Sequence, residues 1–138
     1  MKGLLLDTHY WIWFQNGDAS QLGARVRDEF LDAQRASKLY LSAISVLELA
    51  RLVADGDLDL ATTVDRFVSD ATRDGGLQLL ALSNQVLIES TRLPGNIHRD
   101  PSDRLLVATA REHGLTLITR DKDILKYAAQ GHLSARKP

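Results

Sequence analysis

The chain has 138 residues, 44% hydrophobic and 25% charged, with three Pro, nine Gly and no Cys. That length fits one ordinary domain, here expected over 1–138, whose core needs no staples, and the lack of Cys excludes disulfide frameworks, thiolate zinc sites and Cys nucleophiles. Seventeen basic against 18 acidic residues give a formal charge of −1, without the basic footprint of a duplex-coating protein, so charge alone argues against nucleic acid.

In chain order, Gly3-Leu4-Leu5-Leu6-Asp7 is a short apolar run with a polar stop, the pattern of a strand buried on both faces. Asp7 or Thr8 can cap the aromatic stretch Tyr10–Phe14, which Asn16-Gly17-Asp18 ends. Ser20 to Ala36 carries Leu22, Val26, Phe30 and Leu31 at helical spacing, and Leu39–Ser42 reads as a second strand. A helix over Ser45–Ala54, closed by Gly56, precedes another over Leu60–Ala71 that ends at Gly75-Gly76. Leu77–Leu82 is a third strand, and Ser83 caps a helix reaching about Leu93 before Pro94-Gly95-Asn96 breaks it. Asp100-Pro101 opens a helix to His113-Gly114, Leu115–Thr119 is a fourth strand, and Asp123–Ala129 is a last short helix. Gly131 to Ala135 offers an edge strand. Helices alternating with apolar strands specify an α/β domain built on a mostly parallel sheet.

Asp7 and His9 interrupt the apolar opening, so neither a signal peptide nor a membrane span is expected, and a cytoplasmic location follows. Fourteen of the 18 acidic residues are Asp and 12 of the 17 basic residues are Arg. Asp favours caps, turns and metal sites over helix interiors, which places many carboxylates at element ends. In open α/β sheets, sites form just outside the carboxyl ends of the strands. Asp7 ends the first strand, Glu48 lies in the first turn after the second, Asp103 opens the helix before the fourth, and Asp121 follows the fourth.

Each acid also has a structural explanation. Ser45-x-x-Glu48 has capping-box form, Asp100-Pro101-Ser102-Asp103 fits an N-cap with acids in the first turn, and Asp121 fits a turn. Four acids converging on one sheet edge would nevertheless repel one another unless a cation sat among them. Oxygen ligands without Cys or paired His select Mg²⁺ or Mn²⁺ over zinc.

Four segments carry a family resemblance: Leu5-Leu6-Asp7-Thr8-His9, Ser42 to Ala50, His98-Arg99-Asp100-Pro101-Ser102-Asp103-Arg104 through Ala108, and Leu117-Ile118-Thr119-Arg120-Asp121. In order and spacing across nearly the whole chain they resemble the PIN domain, specifically the VapC-type toxin ribonucleases of bacterial toxin–antitoxin modules. The resemblance implies a three-layer α/β/α fold with a central four- or five-stranded, mostly parallel sheet. It implies an Mg²⁺-dependent endoribonuclease, with Mn²⁺ able to substitute, whose acidic quartet is Asp7, Glu48, Asp103 and Asp121. Thr119 matches an accessory Thr or Ser, and Asp123 competes with Asp121 for the fourth acid. The family implies an RNA substrate, a cognate antitoxin that often carries an Arg into the acidic site, and a homodimer.

On this reading Asp7 and Asp103 hold the main metal, Glu48 orients or deprotonates water, and Asp121 completes a second, weaker site. Arg99, Arg104, Arg120 and Lys122 are candidates for RNA phosphate contacts, equally explained by pairing with neighbouring acids. The histidines are expected to be structural: His9 packs at a helix start, His98 has no metal role, His113 favours a helix end, and His132 is uninformative. Trp11, Trp13 and Phe14 are expected in the core or a subunit contact rather than stacked on bases. A metal-dependent DNA nuclease and a non-catalytic Mg²⁺-binding interaction domain are the alternatives. An aspartyl-phosphate phosphatase is disfavoured because His9 stands where a second Asp would be needed.

Overall fold

A computed structural model describes residues 2–138. Five parallel strands, β1 (Leu4–Leu6), β2 (Leu39–Ser42), β3 (Gln78–Leu80), β4 (Thr116–Ile118) and β5 (Ala135–Arg136), form one sheet in the order β3-β2-β1-β4-β5. The helices among the described residues are α1 (Thr8–Asn16), α2 (Ala24–Arg35), α3 (Ala43–Ala54), α4 (Val64–Ala71), α5 (Asn84–Ser90), α6 (Pro101–His113) and α7 (Lys122–Ala129).

The strands read as continuous apolar runs because helices cover both faces of the sheet. Alternation along β1 sends Leu4 and Leu6 to one core, with Tyr10, Trp11, Phe30, Leu49 and Phe67, and Leu5 to the other, with Val86, Val107, Leu117 and Tyr127. The result is the expected three-layer α/β/α arrangement. Trp11 is fully buried and Phe14 nearly so, as expected, whereas Trp13 is only partly covered.

Chain order reverses at β1. The chain moves from β1 outward through β2 and β3, then returns to pair β4 on the opposite side of β1, with Leu6 facing Ile118. The crevice between the carboxyl ends of β1 and β4 is therefore the topological switch point, where ligands bind in such sheets.

Several boundaries differ from the sequence expectation, each for a local reason. The second helix starts at Ala24 rather than Ser20, because the Asp18 carboxylate accepts from both the backbone N–H and the hydroxyl of Ser20 and makes a turn there. The fourth helix starts at Val64 rather than Leu60, capped by Thr63. Ser42, not Ser45, caps α3, accepting from the Ile44 N–H, so the capping box expected at Ser45 and Glu48 does not form. The edge strand falls at Ala135–Arg136 instead of Gly131–Ala135. Gly114, at φ 63°, ends α6 in the left-handed conformation and turns the chain straight into β4.

Candidate active site

Asp7 is placed by two independent constraints. It follows β1, its backbone N–H donating to Ile118 of β4, and it is the N-cap of α1, its Oδ1 accepting from the His9 N–H. Its Oδ2 accepts from the hydroxyl of Thr119 at 2.8 Å. Thr119 is fully buried, and its Oγ1 also accepts from the Asp121 N–H at 3.1 Å. One hydroxyl thus ties the acid after β1 to the acid after β4. Asp121 caps α7 through its Oδ1, which accepts from the Ile124 N–H.

With α3 starting at Ala43, Ser45 falls in its first turn and Glu48 in its second rather than its first, both facing Thr8. Thr8 Oγ1 lies 2.8 Å from Ser45 Oγ and 2.8 Å from Glu48 Oε1. Its single proton satisfies one acceptor, and the carboxylate is the stronger. Burial, followed by the negative charges of Asp7 and Asp100, pushes the Glu48 carboxyl up, against the lowering pull of the Thr8 bond.

Asp103 occupies the first turn of α6, whose N-cap is Asp100. Its carboxyl is pushed up to about 6, first by burial, then by the charges of Asp100 and Asp121, with Glu48 adding and His98 opposing. These couplings join Asp7, Glu48, Asp100, Asp103 and Asp121 into one field at the switch point. His98 completes it. Its Nε2 stands 3.2 Å from Asp103 Oδ2 and 4.0 Å from Asp121 Oδ1, yet this buried atom has no hydrogen-bond partner among the described residues. Proximity without hydrogen-bond geometry leaves the nitrogen orphaned between two acids.

The group fits a divalent cation. Ligating atoms of His98, Asp103 and Asp121 lie within 4.8 Å of one another, the one such cluster among the described residues. Its carboxylate oxygens are hard donors suited to Mg²⁺ or Mn²⁺.

All four acids expected from the sequence converge here. Asp121 lies within the cluster, whereas Asp123 is exposed and outside it. The basic residues divide. Arg104 is half-buried and donates to the Ser90 and Ile97 carbonyls, pinning α6 to the preceding segment. Arg120 lies over the Trp13 ring, 4.5 Å from its centroid. Arg99 and Lys122 are exposed.

The family model for the PIN domain matches residues 4–130. The chain belongs to the PIN-domain family. It is 30% identical over 122 residues, 88% of this chain and 89% of the relative, to ribonuclease VapC22 of Mycobacterium tuberculosis. Its fold is shared with VapBC2 from Rickettsia felis, solved bound to a DNA fragment from its promoter, at a TM-score of 0.69 and 14% identity over 97% of both chains. A toxin–antitoxin complex from Klebsiella pneumoniae matches with a TM-score of 0.60 and 22% identity, covering 88% of this chain and 90% of that one.

Four residues that the structure brings to this acidic cluster are not legible as such in the sequence. Thr8 and Ser45 are small hydroxyls whose capping potential hides their position, although the apolar neighbours of Ser45, Ile44 and Val46, already imply burial there. Asp100 is the cap that the sequence predicts, and its charge also acts on Glu48 and Asp103. His98, five residues before Asp103 in the same block, carries no metal-ligand spacing of its own in the sequence.

Proposed function

We propose that this PIN-domain protein is a divalent-metal-dependent endoribonuclease, the toxin of a toxin–antitoxin pair, hydrolysing RNA phosphodiester bonds to 5′-phosphate and 3′-hydroxyl ends. The observation that supports it most is the convergence of Asp7, Glu48, Asp103 and Asp121 at the β1–β4 switch point, where burial and neighbouring negative charge push the Glu48 and Asp103 carboxyls up. The 30% identical relative, a ribonuclease, supports RNA as the substrate class.

Asp7, Asp103 and Asp121 would hold Mg²⁺, or Mn²⁺ in its place. Bound there, the cation supplies an acidified water and neutralises charge on the scissile phosphate. Glu48, held at Oε1 by Thr8, presents its other oxygen to orient the attacking water and take its proton. Burial favours that role, because a carboxylate with a raised pKa is the better base at neutral pH. Thr119 fixes the Asp7 rotamer. Arg99 and Lys122 contact flanking phosphates, and their exposed charges leave them available for it.

The partner protein would be a small antitoxin whose Arg enters the acidic site, a placement the negative field favours. The fold match to the Klebsiella complex supports such a partner. A homodimer is part of the same reading. Among the described residues no helix is long and apolar enough to cross a membrane, in keeping with a cytoplasmic site of action.

Incubation of the purified protein with RNA and Mg²⁺, beside a DNA strand of matched sequence, tests the reading. RNA cleavage with 5′-phosphate ends is expected, lost with EDTA and reduced to background in Asp7→Asn at unchanged circular dichroism. Activity that survives EDTA contradicts it, and preference for the DNA strand establishes the DNA-nuclease alternative.

A further inference from the structure

Every carboxylate of the quartet has an assignment in this reading, whereas His98 has none. It stands in the segment between α5 and α6, two residues ahead of the α6 cap. That segment is held from both sides: Arg104 donates to the Ile97 carbonyl and the Tyr127 hydroxyl donates to that of Pro94. The imidazole is thereby aimed between Asp103 and Asp121, with its Nε2 buried and without a hydrogen-bond partner. A surface ion pair would keep its nitrogen in water, and a structural histidine would donate to or accept from a neighbour. An unpartnered nitrogen facing two acids is the arrangement of a ligand.

We propose that His98 is a direct ligand, through Nε2, of a divalent cation held between Asp103 and Asp121, and that this nitrogen makes the position favour Mn²⁺ over Mg²⁺. The inference rests on the reading of the acids as a cation site. An octahedral ion with ligands at roughly 2.1 Å sets adjacent ligands about 3 Å apart and opposite ones about 4.2 Å apart. The observed 3.2 Å and 4.0 Å separations from His98 Nε2 fall close to this range. Mg²⁺ prefers oxygen and gives up water reluctantly, while imidazole is a good donor for the later first-row metals, so replacing one oxygen ligand by nitrogen shifts preference toward Mn²⁺. Selection of the cation would then be set by a residue outside the acidic quartet.

Electron paramagnetic resonance of the Mn²⁺-loaded protein reads the ligand directly, through electron spin-echo modulation from ¹⁴N. Modulation is expected at one or two equivalents of Mn²⁺, lost in His98→Asn and retained in His9→Asn, the other histidine near the acids. Calorimetric titration should show Mn²⁺ affinity falling about tenfold or more in His98→Asn while Mg²⁺ affinity changes much less. Matching circular dichroism of His98→Asn and wild type, with His98→Gln as a second variant, separates ligand loss from misfolding. Mn²⁺ bound without ¹⁴N modulation, or modulation that survives in His98→Asn, overturns the ligand assignment and leaves the acidic site standing. Failure of the wild type to bind Mn²⁺ more tightly than Asp103→Asn does overturns the cation-site reading as well.

Discussion

The two sides of the switch-point crevice differ in how well the fold satisfies their charges. On the β1 side both Asp7 oxygens have donors, the His9 N–H and the buried Thr119 hydroxyl, and Glu48 has Thr8. On the α6 side no donor hydrogen-bonds the Asp103 carboxylate among the described residues, and the nearest nitrogen, His98 Nε2, is out of alignment. Burial and the neighbouring acids raise the Asp103 carboxyl to about 6. The first side is organised by the polypeptide itself. The second carries repulsion that the polypeptide offsets only in part, through His98, as functional sites commonly do at a cost to stability. On the proposed reading a cation would offset the charge of the second side, and Asp7 of the first side would share in holding it.

The strongest way to break this contrast is to cut the link between the sides. Thr119→Val removes the hydroxyl that donates to Asp7 and accepts from the Asp121 N–H. Cation affinity, read by calorimetry, and RNA cleavage should both fall about 10–100-fold, the usual effect of losing a group that orients ligands. Urea unfolding should show a further loss of roughly 1–3 kcal/mol from the buried groups left unpaired.

The pH response should sharpen the contrast. In the metal-free protein Asp103 holds its proton more tightly folded, at about 6, than at its ordinary value of 3.8. Protonation therefore favours the folded state. The stability this group provides is full below about 4 and is lost as pH climbs through about 6. Solvent screening leaves a loss of order 2 kcal/mol, measurable by denaturant titration across that window. Glu48 shifts in the same direction. Cation binding has the opposite sign, since Asp103 must lose its proton to ligate, so cleavage at subsaturating metal should rise over the same window.

The smallest effects belong to the basic residues. Lys122→Ala should weaken RNA binding uniformly across sequences and lower the slope of log affinity against log salt by about 1. Arg104→Ala should leave that slope unchanged and lower stability by about 1–3 kcal/mol, because its partners are two backbone carbonyls. Salt-dependent binding measurements on both variants check the division.

Much of this was legible in the residues. Apolar runs ending in Asp or Ser marked the strands because the sheet is covered on both faces, and the acids stand at strand ends and helix starts, as the composition implied. What stayed hidden was orientation. Ser45 and Glu48 have capping-box spacing, but the chain enters α3 three residues earlier, at Ser42, and that shift turns both toward Thr8. Arg104 looked like a phosphate contact because it follows Asp103, yet adjacent helix residues point about 100° apart, and it faces α5 instead. His98 was undervalued because a lone His carries no spacing signal, and its meaning comes only from Asp121, 23 residues further on. The net charge of −1 averaged an acidic crevice with dispersed Arg and so concealed the site.

Thermal unfolding of wild type and Asp103→Asn at neutral pH, each with and without millimolar Mg²⁺ or Mn²⁺, tests the central claim most directly. Without cation the variant should melt higher, by about 2–4 °C for each kcal/mol of repulsion removed. Cation should raise the wild type and leave the variant nearly unmoved. A variant that melts below wild type without cation, or a cation that shifts both proteins equally, would contradict the account.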